Sequence, residues 1–269
     1  MPDPDTYDVY AIKYARHERN AGANFLGGDL HDGPMPLDYF VWAITNDTRT
    51  IILDTGFTAD MAKRRGRDHL RSPGDGLATI GIDPARIEDV IISHMHYDHA
   101  GNVPLFPNAR FHLQDSEMAF CTGRHMCHEA LNHSFAVEDV MAMVGRVFAG
   151  RVQFHDGVSQ LAPGITLHRV GGHTAGLQVT RVRTRRGWVV LASDASHLYA
   201  NMEQGRPFPV VYNVGEMMEG FNELKKLGSS PDHIIPGHDP LVLERYPAAT
   251  RELEGIVARL DVDPAPIKS

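Results

Sequence analysis

Ser93-His94-Met95-His96-Tyr97-Asp98-His99-Ala100-Gly101-Asn102 follows directly on the apolar run Val90-Ile91-Ile92. Three imidazoles and one carboxylate fall within six positions, where a buried strand gives way to a loop. Side chains i and i+2 of an extended segment point to the same side, so His94 and His96 converge on one point. Asp98 and His99 come where the chain must turn, and Gly101 permits that turn, so they face a second point nearby. Imidazole nitrogen and carboxylate oxygen are ligands of zinc and its borderline neighbours. Two adjacent metal points describe a two-metal hydrolytic site. A lone loop histidine is ordinary, but H-x-H-x-D-H behind an apolar strand is hard to obtain by chance.

The 269 residues carry 26 Lys and Arg against 34 Asp and Glu, a net charge of −8. That balance argues against a nucleic-acid partner, which needs a basic face. No apolar run reaches membrane-span length, so no membrane partner is expected. The opening Met1-Pro2-Asp3-Pro4-Asp5 lacks the basic and apolar regions of a signal peptide. Cys121 and Cys127 are too few for a disulfide framework or a four-cysteine zinc site. A reducing, cytoplasmic compartment is the expectation. Sixteen histidines are the compositional trace of the metal site.

Around the cluster, strands are predicted over 7–14, 40–45, 50–53, 90–92, 110–113, 152–155, 165–169, 178–183, 188–192 and 233–236. The second and third form a hairpin around Asn46-Asp47. Helices are predicted over 58–65, 75–80, 116–121 (capped by Ser116), 137–148, 214–227 and 247–260. Residues 20–38 form a long loop, placed over the pocket or in a dimer contact. Two strand-rich halves with helices outside predict a single α/β domain over 1–269, layered helix-sheet-sheet-helix. Ligand loops would gather along one edge between the sheets.

Three later segments complete the donor set: Gly171-Gly172-His173, Ala192-Ser193-Asp194 and Pro236-Gly237-His238. Each follows a strand, and glycine lets the backbone approach an ion closely. This set of motifs, in this order, resembles the metallo-β-lactamase superfamily across about residues 40 to 240. The resemblance implies that fold, a four-layer αββα sandwich, and two Zn²⁺ ions, with other divalent metals possible. It implies that His94, His96 and His173 hold one ion and that Asp98, His99 and His238 hold the other. Asp194 would bridge both. His125, His128 and His133 read as solvated or pocket-wall residues, and His112 and His168 as structural.

At such a site bound water has its pKa lowered to about 7, so a metal hydroxide attacks a carbonyl. Asp98 is placed to accept or return a proton as the alkoxide departs. Within the superfamily, the N-terminal segment and Leu53-Asp54-Thr55-Gly56 resemble the N-acyl-homoserine lactonase branch, the quorum-quenching lactonases. The implied activity is a dizinc hydrolase opening a lactone or small ester, acting as monomer or homodimer. The alternatives are a thioester hydrolase of glyoxalase II type and a mononuclear-iron persulfide dioxygenase of the same fold. One position departs from the branch. Three residues after the bridging aspartate, His197 stands where those lactonases often carry a tyrosine that hydrogen-bonds the substrate carbonyl. An imidazole can donate the same bond. Tyr199 is the weaker substitute. Phe25-Leu26-Gly27-Gly28, Met35, Phe120, Met141 and Met143 are candidate pocket-wall residues.

Overall fold

The computed structural model describes residues 5–265, arranged as two facing sheets with helices outside. The first sheet contains β1 (Asp8–His17), β2 (Leu37–Asn46), β3 (Arg49–Leu53), β4 (Asp68–His69), β5 (Asp89–Ile91), β6 (Arg110–Gln114) and β7 (Val152–His155). The second contains β8 (Val158–Ala162), β9 (Ile165–Arg169), β10 (Gln178–Thr184), β11 (Gly187–Ser193) and β12 (Ile234–Pro236). A last strand, β13 (Val257–Arg259), returns to the edge of the first sheet beside β1.

The β2–β3 hairpin turns where Asn46 Oδ1 accepts from the backbone nitrogens of Thr48 and Arg49, at 3.0 and 3.1 Å. That is the local turn chemistry asparagine supplies. From β3 onward the first sheet is parallel, pairing Ile52 with Val90, Val90 with Phe111 and Phe111 with Val152. Parallel strands are covered on both faces, which is why they read as short unbroken apolar runs. β2 shows the division of faces. Phe40, Trp42 and Ile44 join Leu167, Val179 and Leu191 between the sheets. Val41 and Ala43 face the opposite way, joining Leu77, Phe106 and Met143 in the second core. The helix Val214–Leu227 seals the second sheet with Met217, Phe221 and Leu224. The result is the αββα sandwich.

Two sequence expectations are corrected. Residues 247–260 are not a helix. Gly255 sits at φ +74°, which interrupts helical geometry, and the following strand pairs with the open edge of β1 (Ile12 with Val257, Tyr10 with Arg259). Ser116 is not a cap, because the helix begins one residue earlier, at Asp115; its hydroxyl instead accepts from Arg169 Nε at 3.1 Å. The helix Val137–Phe148 has the predicted bounds, but Val137, Met141 and Phe148 face solvent, Phe148 at 89% exposure. Met143 and Asp139 take the buried positions.

Asp139 is therefore an acid on the inner face of a helix. Burial, with Glu138 adding to it, pushes its carboxyl up to about 7, and its Oδ2 has no hydrogen-bond partner. The folded protein holds a proton that the unfolded chain releases, so this site's contribution is full at low pH and falls as pH rises from about 4 through 7. Asp139→Asn is expected to stabilise the protein at pH 8 by roughly 2–4 kcal/mol and much less at pH 5, as measured by urea unfolding at both values.

Candidate metal centre

The seven candidate ligands all arrive on loops at one edge of the sandwich. His94 and His96 follow β5, and Asp98 and His99 lie in the single helical turn Tyr97–Ala100. His173 lies between β9 and β10, Asp194 follows β11 and His238 follows β12. All are buried except Asp98, which is partly exposed. Their donor atoms form two groups, His94/His96/His173/Asp194 and Asp98/His99/His238, each within 4.8 Å, and Asp194 and His238 form a third with His197. Gly101 makes the tight turn possible: a Cβ there would meet the carbonyl oxygens of Tyr97 and Gly56 at 2.6 and 2.8 Å.

Asp194 stands between the groups and addresses one with each oxygen. Oδ2 lies 3.1 Å from His173 Nε2 and 3.7 Å from His94 Nε2. Oδ1 lies 3.2 Å from His99 Nε2 and 2.9 Å from His238 Nε2. Asp98 Oδ2 closes the second group at 3.8 Å from His99 and 3.9 Å from His238.

The imidazoles are aimed by their outer nitrogens. His99 Nδ1 pairs with Asp54 Oδ2 at 2.7 Å, His238 Nδ1 with the Asp38 carbonyl at 3.0 Å and His173 Nδ1 with the Val210 carbonyl at 2.6 Å. His94 Nδ1 lies 3.0 Å from Ser93 Oγ. Such outer partners fix the ring and turn the other nitrogen inward. The inward Nε2 of His94 is buried without a hydrogen-bond partner, with Asp194 Oδ2 3.7 Å away, a costly state for a polar atom unless a cation takes the lone pair. Burial first, then the neighbouring imidazoles, hold His94 and His96 well below the usual histidine range. They are thus in the neutral form that binds metal. This donor set fits divalent metal ions of the zinc class.

The superfamily profile for metallo-β-lactamases matches residues 35–238. The chain belongs to the metallo-β-lactamase superfamily. An N-acyl homoserine lactonase of Agrobacterium fabrum is 29% identical over 181 residues, covering 56% of this chain and 60% of that protein. One from a Bacillus species is 30% identical over 135 residues, covering 49% and 48%. The match thus spans about half to three fifths of those relatives' lengths. A quorum-quenching N-acyl homoserine lactone lactonase structure superposes with a TM-score of 0.72 at 22% identity, covering 88% of this chain and 94% of that one. A dizinc quorum-quenching lactonase bound to its product gives 0.68 at 16% identity, covering 86% of each chain. These structural likenesses establish the fold.

For this superfamily member, several features near the centre are not apparent from the sequence. Glu117 is fully buried. Its Oε1 accepts from the Met95 nitrogen at 2.8 Å, and Oε2 accepts from Thr174 Oγ1 at 2.6 Å and the Gly176 nitrogen at 2.9 Å. It ties the His94–His96 loop to the His173 loop. Gly176 has to be glycine because a Cβ would overlap the backbone of Glu117. Glu117→Ala would strand three donors, an expected loss on the order of 3 kcal/mol in chemical unfolding. The cavity over the centre takes its apolar lining from Leu37, Phe208 and Val210. The predicted wall residues do not line it: Phe25 is buried under the Arg206 guanidinium, Met143 is core and Met141 faces solvent. The predicted 20–38 loop ends at Pro36, before β2 begins, and it packs beside the site: Met35 and Leu37 meet Leu198 and Phe208. Tyr199 sits under Arg245 and is absent from the lining. His128 and His133 are exposed, whereas the His125 ring rests against Phe120 and Tyr212.

Proposed function

We propose that this protein is a dizinc hydrolase that opens a lactone ring or a comparably small carboxylic ester. The observation that carries the reading is Asp194, whose two oxygens each face a separate group of imidazoles. Bound divalent ions would supply Lewis acidity toward the carbonyl and a low-pKa water at neutral pH. His94, His96 and His173 would hold one ion, Asp98, His99 and His238 the other, with Asp194 shared. Asp98, the least buried of the seven, lines the cavity and is placed to take up and return a proton as the leaving oxygen departs. The relatives named N-acyl homoserine lactonases support a lactone as the substrate class, and with such a substrate the reaction would be quorum quenching. No helix among the described residues is long and apolar enough to cross a membrane.

His197 supplies the polarising hydrogen bond in this reading. Its Nε2 lies 3.0 Å from Asp194 Oδ2, and its ring stacks on Phe208 at 3.7 Å with the planes 6° apart. Burial pulls it down to about 3 despite Asp194, so the ring is neutral with a single N–H, which Nε2 directs at Asp194 Oδ2 and which would pass to the substrate carbonyl once bound ions occupy that carboxylate. His197→Phe is expected to lower kcat for lactone opening by about 10²- to 10³-fold, the usual cost of a lost oxyanion donor, with metal content retained. Metal loss in step with activity would make His197 a ligand. Unchanged kinetics would remove it from the mechanism.

A further inference from the structure

We propose that Arg19 and Arg67 form a carboxylate-binding subsite at the cavity mouth, so that the preferred substrate bears an anionic group besides its scissile ester. Both side chains line the cavity over the metal centre. Each is only partly exposed, and neither has an ion pair to a carboxylate among the described residues. Other arginines do: Arg206 with Asp29 at 2.7 Å, Arg245 with Asp232 at 2.5 Å and Arg259 with Asp261 at 2.6 Å. In a chain with eight more acids than bases, two such guanidinium groups beside one cavity are not a shortage of partners.

Neutral groups position them instead. Arg19 Nε donates to Asn24 Oδ1 at 2.7 Å, another of its nitrogens donates to the Ala23 carbonyl, and its guanidinium lies 5.1 Å from the centre of the Phe208 ring. Phe208 in turn stacks on His197. Arg67 Nε donates to the Tyr97 hydroxyl at 3.1 Å, and Nη1 reaches His17 Nε2 at 3.1 Å and the Arg65 carbonyl at 2.6 Å. Tyr97 and Tyr39 hydroxyls lie 3.5 Å apart, and the Tyr39 ring packs edge-on against His238 at 5.0 Å. Each guanidinium is therefore linked to the centre through aromatic rings, by way of Phe208 on one side and Tyr97 and Tyr39 on the other. Burial, followed by Arg67 and Arg19, holds His17 down at about 4, so it serves Arg67 as a neutral acceptor and leaves the positive charge uncancelled.

Planar guanidinium forks match carboxylates in geometry and charge; Asp98 and Asp194 share the same lining, and the ions they would help to hold would offset their charge. A neutral acyl lactone would leave both cations unused. The substrate class is thus a small lactone or ester carrying a carboxylate. This rests on the hydrolase reading for the reaction, but not for the anion.

The test compares γ-butyrolactone with its ring carboxylate, 5-oxotetrahydrofuran-2-carboxylate, on the zinc-loaded protein. The expected kcat/KM ratio favours the acid by about tenfold or more at low salt and shrinks as ionic strength rises. Arg19→Met and Arg67→Met are expected to collapse that ratio, mainly by raising KM for the acid, and Arg→Lys at either position to restore part of it. A wild-type ratio near one, or variants that slow both lactones equally, would overturn the subsite. If neither lactone is opened, the lactonase reading fails by itself. Calorimetric binding of glutarate against butyrate then decides the anion site. Tighter glutarate binding, lost in the Arg19→Met/Arg67→Met protein, supports it, and equal binding of the two acids overturns it.

Discussion

Asp194→Ala is expected to empty the centre of metal and abolish ester hydrolysis. The side chain is the only carboxylate among the described residues that faces both imidazole groups, with Oδ2 toward His94 and His173 and Oδ1 toward His99 and His238. Its removal takes one ligand from each ion and the anion that offsets their charge. What remains is a buried cluster of imidazoles facing one another, His96 Nδ1 and His173 Nε2 at 2.9 Å among them. Two cations brought into that cluster lose their shared counter-charge. The expected loss exceeds the roughly 10- to 100-fold that follows from removing a supporting partner, and bound metal should fall with it. Elemental analysis and turnover on the same sample check this. Retained metal with retained turnover would mean that Asp194 is a structural acid.

Asp54→Asn is expected to weaken metal binding by roughly 10- to 100-fold without unfolding the chain. Asp54 touches no other candidate ligand, yet it holds His99 Nδ1 at 2.7 Å and accepts from the Ser93 nitrogen and hydroxyl at 2.7 and 2.8 Å. It does so at φ +63°, a left-handed conformation that asparagine also tolerates. Asparagine therefore keeps the turn and the bulk. Its amide NH₂ cannot accept, so either the His99 or the Ser93 contact is lost, along with the negative charge that favours a basic His99. Competition against a chromophoric chelator reads the affinity, and thermal unfolding reads the fold. Parental affinity would show that the His99 ring is held by packing alone.

How much of the fold and the site is legible in the sequence alone depends on distance along the chain. His94, His96, Asp98 and His99 announce themselves because their spacing and the preceding apolar strand lie in one short window. His173, Asp194 and His238 are readable only as strand-end residues with small neighbours, and their convergence depends on two sheets closing face to face. The αββα layering is readable because parallel strands appear as apolar runs between helix-period segments. The last stretch, 247–260, misleads because its apolar spacing suits a helix, and nothing local reveals that β1 offers it an unpaired edge. Glu117, Arg19 and Arg67 stay hidden for a related reason. A charged residue in a helix or loop reads as solvated until the fold buries it, and Glu117 meets its partners about sixty positions away, at Thr174 and Gly176. Nothing in their local sequence marks Arg19 and Arg67, and their sharing one cavity lining is a tertiary fact.

The proposed chemistry depends on a two-metal centre built from seven side chains. Elemental analysis of the purified chain after saturation with zinc and removal of free metal tests it most directly. The predicted result is about two equivalents per chain, falling well below one when His94 and His96 are both replaced by alanine. A single tightly held iron with oxygen consumption, or less than one equivalent in the parent protein, would contradict it.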